Sequence, residues 1–215
     1  MKAFFLCLSF FLAAPGLAAP YDDTFYRAEF WSGEYPNGFS VVGTGVMIPV
    51  RTDADLELPS QETCGLPQKA VIHPWNGARP ADFVTYSKIV PMKVKNAFTF
   101  EDGDRKVDLK KGDLIEYLVY GGEGYFLVRI NGVEYGADQS LFENVEEPSQ
   151  ESFRQDEWVR LNCENGGQGW ALLSDLLKVN EEGETIYYKG LDNWFLGFVD
   201  YGEVRDLTDE QLPRP

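Results

Sequence analysis

The sequence predicts a mainly β protein assembled from two related small units. A strand-and-hairpin pattern occurs twice. Tyr125-Phe126-Leu127-Val128-Arg129-Ile130-Asn131-Gly132 returns through Val133-Glu134-Tyr135, and Glu157-Trp158-Val159-Arg160-Leu161-Asn162 returns through Gly169-Trp170. Each copy ends on a short leucine-bearing turn, Ser140-Leu141-Phe142 in the first and Asp175-Leu176-Leu177 in the second. With 14% aromatic residues, 21 Gly and 12 Pro, the chain is rich in strand and turn formers and lacks long helical periodicity. Units of this kind present surfaces more often than they host reactions, so the expectation is a binding protein and not an enzyme.

In chain order, residues 1–18 read as a signal peptide. Lys2 is a minimal basic start, Ala3 to Ala14 is almost unbroken apolar sequence, and Gly16-Leu17-Ala18 supplies small residues at the cleavage positions. The apolar run is shorter than the ~20 residues needed to span a bilayer, so no stable membrane insertion is expected. Cys7 lies inside this run and not at its end, which argues against lipidation. The implied location is periplasmic or secreted.

Residues 19–91 form an N-terminal β-rich region. Phe39–Val42 and Val46–Val50 are short strands around Gly43-Thr44-Gly45. Asp53–Asp55, Leu58–Ser60 and His73–Pro80 are loops, and Phe83–Val90 is a strand rich in β-branched and aromatic residues. Residues 92–147 are the clearest unit. Val94, Phe98 and Phe100 mark an extended stretch broken at Asp102-Gly103-Asp104, and Lys110–Asp113 is a turn before a strand from Leu114 to Tyr120. Gly121–Gly124 reads as a flexible loop. Phe126, Val128 and Ile130 alternate onto one face, and Asn131-Gly132 is a strong type I′ hairpin signal, because both residues tolerate positive φ.

Residues 148–215 hold the second, partial unit. The acidic stretch from Glu143 to Glu157, with six carboxylates against the single base Arg154, leads into it and reads as a solvated linker. Val159 to Trp170 spans eleven positions where Val128 to Tyr135 spans seven, so the second hairpin has a longer loop, centred on Asn165-Gly166-Gly167. Thr185–Tyr188 and Trp194–Val199 are strands, and Thr208–Gln211 is a capping box for a short final helix.

Cleavage removes Cys7 and leaves Cys64 and Cys163, which in an oxidising compartment read as one disulfide. It would pin the N-terminal region onto the second copy. The formal charge is −16, or −17 once Lys2 is lost with the signal. This argues against nucleic acid and anionic membrane surfaces as partners, since phosphates require Lys and Arg to neutralise them. It reads as a solubilising surface and admits a cationic partner.

The 92–147 unit resembles the bacterial SH3-like domain family. Leu109-Lys110-Lys111-Gly112-Asp113 matches that family's turn, Tyr125-Phe126-Leu127-Val128-Arg129 its aromatic-to-Val-Arg strand, and Tyr135-Gly136-Ala137 its return, with Leu141 in the closing turn. The second copy keeps Trp158-Val159-Arg160 and Gly169-Trp170-Ala171 but shows no upstream strands of its own. The N-terminal strands, carried across by a Cys64–Cys163 bridge, are the candidates to complete it. The resemblance implies tandem small SH3-like β-barrels that bind cell-wall peptide, peptidoglycan or a periplasmic protein through aromatic residues. Carried over position by position, the ligand-binding aromatics are Tyr125, Tyr135, Trp158 and Trp170; the competing reading is that these rings fill small cores. Thr99–Asp104 keeps the family's Gly but lacks its Arg and Pro.

No catalytic, metal or cofactor constellation stands out. His73 is the sole histidine, and Cys64 nine residues before it sits in loop sequence with no helix start to build a nucleophile–base pair. Asp53-Ala54-Asp55 and Asp102-Gly103-Asp104 are only fragments of a calcium loop. Gly121-Gly122-Glu123-Gly124 precedes a strand, whereas phosphate loops open a helix. The expected function is therefore an exported, non-catalytic binding module without cofactor. The alternatives are an acidic inhibitor or partner of a cationic cell-wall hydrolase and, below that, a cysteine hydrolase using Cys64 and His73.

Overall fold

Short runs of β-branched and aromatic residues between Gly, Asp and Asn turns favour strands and leave little room for helix. The computed structural model describes residues 21–30, 38–72 and 81–193. The N-terminal region gives β1 (Phe25–Ala28), β2 (Phe39–Val41), β3 (Val46–Val50), β4 (Gln61–Leu66), β5 (Val71–Ile72) and β6 (Ala81–Lys88). The central region gives β7 (Val90–Lys93), β8 (Phe98–Asp102), β9 (Arg105–Leu109), β10 (Leu114–Gly122), β11 (Tyr125–Ile130) and β12 (Val133–Ala137). The last region gives β13 (Gln155–Asn162), β14 (Gln168–Leu172), the one-turn helix α1 (Leu173–Leu176), β15 (Leu177–Val179), β16 (Thr185–Tyr187) and β17 (Leu191–Asn193). The fold is mainly β, as expected.

Two four-stranded antiparallel sheets organise these strands. One runs β1-β6-β13-β14 and the other β12-β11-β10-β7, and among the described residues neither closes on itself. The single strand expected over Phe83–Val90 divides at Ile89: β6 joins the first sheet and β7 the second, so the chain changes sheet within one residue. The second-copy hairpin β13–β14 pairs through β13 with β6, and Trp170 of β14 exchanges backbone hydrogen bonds with Arg51 (2.8 Å each way). Its core is shared with the N-terminal strands: Phe39, Ile48, Cys64 and Leu66 pack with Val159, Leu161, Cys163 and Leu176. Cys64 and Cys163 are disulfide-bonded, with Cα atoms 4.9 Å apart.

The second core is local to the central region. Val90, Met92, Phe100, Ile115, Tyr117, Phe126, Val128 and Ile130 lie in it, and Phe153 packs against it. The Phe126, Val128, Ile130 alternation is buried as read, and Asn131 and Gly132 take φ of 51° and 79°. Gly121–Gly124 differs from its reading as a flexible loop. β10 continues to Gly122, and Glu123-Gly124 alone turn the chain with φ of 52° and 76°. The acidic connector also differs from a simple solvated linker. Val145 is fully buried and bridges Val94, a 3-10 turn forms at Gln150–Ser152, and Phe153 packs edge-on against Tyr117 with ring centroids 4.9 Å apart. Apolar side chains at those points override the local charge.

β10 buries Tyr117, Leu118 and Val119 in succession, which an alternating strand does not do. Register shifts against β11 between Tyr117 and Val119 and between Tyr120 and Gly122 explain this. Each bulge inserts an unpaired residue and re-aims the side chains that follow. The signal segment expected over 1–18, His73, the strand expected over 194–199 and the capping box expected over 208–211 lie outside the described residues.

Candidate binding site: a groove around Tyr125

Trp158 does not face a ligand. It is 0% exposed, beneath a cover made by the N-terminal region. Its indole N–H donates to the Tyr21 hydroxyl at 3.0 Å, Tyr21 stacks on Tyr86 at 3.9 Å, and the Arg51 guanidinium lies 5.3 Å from the indole centroid. Arg51 is in turn held by Asp175 at 2.7 Å. Burial pushes the Tyr21 phenol well above its ordinary value. Placing Trp158 among ligand-binding aromatics is therefore corrected: small β units need their largest side chains inside.

Tyr135 is also core, 9% exposed, edge-on to Phe100 at 5.7 Å with the Arg105 guanidinium 4.5 Å from its ring centroid. Trp170 is half-buried, with the Arg160 guanidinium 5.7 Å from its ring centroid. The four aromatic positions are thus not brought together, and of these only Tyr125 is well exposed, at 48%.

Tyr125 begins β11, and its ring lies across two glycines on the flanking strands. A Cβ on Gly121 would stand 2.8 Å from Tyr125 Cδ1, and one on Gly136 would stand 2.6 Å from its Oη. Only glycine at both places lets the ring lie down. The ring borders a groove of about 460 Å³ between the β8–β9 ribbon and the 3-10 helix Gln139–Glu143. Three carboxylates line the same groove: Glu101, Asp102 and Asp138. In the sequence Asp102 reads only as part of a calcium-loop fragment, and nothing local joins Glu101 and Asp102 to Asp138, 37 and 36 positions further on.

Each carboxylate has a structural partner. Asp102 pairs with Arg105 and accepts from the Gly136 N–H at 3.1 Å, which ties the β8–β9 ribbon to β12. Glu101 pairs with Lys106 at 2.6 Å in an exposed contact. Asp138 caps the 3-10 helix by accepting from the Ser140 N–H at 2.8 Å, and the Ser140 hydroxyl and N–H hold its carboxyl below the usual carboxylate range. An aromatic face beside ionised carboxylates suits an ammonium or guanidinium group, which gains from both.

With Cys64 bonded to Cys163, the nucleophile of a Cys64–His73 pair is not a free thiol. Among the described residues no group of three His, Cys, Asp or Glu side chains is arranged to hold a metal ion, and no helix is long and apolar enough to cross a membrane. No family model, curated protein or solved structure matches the chain.

Proposed function

We propose that the protein is an exported, non-catalytic binding module that recognises an amine-bearing peptide, in the cell wall or on a periplasmic protein, through the Tyr125 groove. The observation that carries this reading is the exposed Tyr125 ring held flat over Gly121 and Gly136, bordering a groove lined by Glu101, Asp102 and Asp138. Tyr suits such a surface because it offers apolar area and a polar tip at low entropic cost. The doubled hairpin and the resemblance to bacterial SH3-like domains favour a binding role, and the charge of −16 favours a cationic target.

The test is retention on purified sacculi, together with titration of a lysine-containing stem peptide and its N-acetylated analogue. Tyr125→Ala should weaken binding about tenfold, a loss of ~1.4 kcal/mol, and acetylation of the amine should weaken it at least as much. Unchanged binding by Tyr125→Ala would remove the groove from consideration. The acidic-partner alternative rests on the net charge alone, and since both readings attract a cation and weaken with salt, it separates by mutation. Docking of a cationic hydrolase on overall charge is unchanged in Tyr125→Ala, whereas recognition in the groove is lost.

A further inference from the structure

A second cavity, of about 400 Å³, opens on the other side of the same 3-10 helix, where the two sheets meet. Ser140 and Leu141 line the Tyr125 groove, while Gln139 and Phe142 line this cavity. Its volume falls in the range of small-ligand sites. Five rings form its walls: Tyr117, Tyr120, Phe126, Phe142 and Phe153. The polar groups among them are the amides Gln139, Gln150 and Gln155, the hydroxyl of Ser87, and Arg154.

Two features say what this cavity accepts. No carboxylate lines it, although the chain carries 35 acidic residues. Arg154, its one cation, is committed elsewhere: it lies 2.6 Å from Asp156, and its guanidinium is 5.3 Å from the Phe25 ring centroid. The lining therefore carries no carboxylate and one cation, which is ion-paired but half-exposed. The second feature is Tyr117. It is 8% exposed, and its hydroxyl makes no hydrogen bond among the described residues. Burial pushes its phenol up to about 12, with the nearby Tyr120 adding to the effect, so it stays protonated and able to donate. The hydroxyl is not sealed in the core: it opens onto the cavity, where a ligand acceptor can reach it.

We propose that this cavity is a second binding site, which takes a bulky uncharged side chain such as phenylalanine from a peptide ligand, with the Tyr117 hydroxyl donating to a carbonyl oxygen of that ligand. The rings supply edge and face contacts to an aromatic guest. The amides of Gln139 and Gln150 offer both donors and acceptors to its backbone, while that of Gln155 accepts from the Tyr120 N–H and donates to Glu157. The inference does not depend on the Tyr125 groove, because the two sites differ in charge and open on different sides of the 3-10 helix and of β11, which gives Tyr125 to one and Phe126 to the other.

The probe is N-acetyl-phenylalanine amide, matched against the same derivative of lysine and followed by amide chemical shifts of the disulfide-bonded protein. Saturable shifts around Tyr117, Phe142 and Gln155 with the phenylalanine probe alone would support the site. Tyr117→Phe should weaken that binding about three- to tenfold, the effect of one hydrogen bond. Gln139→Trp, at an exposed position on the cavity rim, should block it without unfolding the protein. Tyr125→Ala should leave it unchanged. The proposal is overturned by absence of saturable shifts at millimolar probe, by equal binding of the lysine derivative there, or by unaltered affinity in Tyr117→Phe. If Tyr125→Ala abolishes the shifts, the probe occupies the groove, so the cavity assignment fails while the groove reading survives.

Discussion

At the scale of single residues, the aromatic side chains that precede the repeated Val-Arg strand have opposite fates. Tyr125 and Trp158 each stand near the start of the repeated Val-Arg strand, yet one is 48% exposed and the other 0%. Their stability effects should diverge accordingly. Trp158→Ala should cost about 3–5 kcal/mol, since it empties a large buried site and removes the hydrogen bond that the indole N–H donates to the Tyr21 hydroxyl. Tyr125→Ala should fall within about 0.5 kcal/mol, the usual range for a surface change. Urea unfolding of the two variants checks this; equal losses would mean the burial pattern is wrong. Tyr117 adds a pH dependence. Its phenol lies at about 12 in the folded protein against 10.0 in the unfolded chain, so the folded state disfavours tyrosinate. Its contribution is present in full below pH 10 and is lost as pH rises from there toward 12. Thermal melts across that window should show a decline that Tyr117→Phe reduces.

At the scale of elements, two-residue turns and bulges set the shape of the groove and the cavity. The Glu123-Gly124 turn aligns β10 with β11 so that Tyr125 meets Gly121 and Gly136, which the glycine-rich composition of that stretch does not announce. Gly136→Ala should therefore act on binding more than on folding. Its Cβ would meet Tyr125 Oη at 2.6 Å and Cε2 at 2.7 Å, forcing the ring off the strand. The expected result is loss of amine-peptide affinity comparable to Tyr125→Ala with a largely retained melting temperature, read by titration and thermal denaturation together. Strands with clean alternation, such as β11, were legible in advance because one face is buried and the other wet. β4 was not: Gln61–Leu66 runs exposed then buried, with a register shift in its partner β3, so no period of two survives.

At the scale of the whole molecule, residues distant in sequence share one core. The disulfide joins positions 99 apart, one in β4 and one just after β13. Closing a loop near 100 residues is worth roughly 4.7 kcal/mol on the chain-entropy model. The Cys64→Ser, Cys163→Ser double variant should lose stability of that order. The loss should be larger for the core shared by β2–β4 and β13–β14 than for the central region, whose core is assembled locally. Hydrogen exchange resolves the two; uniform loss of protection would mean that both cores unfold as one unit.

The sequence by itself determined the mainly β class, the hairpin at Asn131-Gly132, the pairing of the two cysteines and the acidic character, because each rests on local periodicity, turn chemistry or composition. Tertiary structure alone decided which repeated aromatics are core and which are surface. It also decided that Glu101, Asp102 and Asp138 meet beside Tyr125, and that a ring-lined cavity without carboxylates forms where the sheets join. These depend on strand pairing and bulges between segments far apart in the chain, and no short window of sequence encodes such contacts.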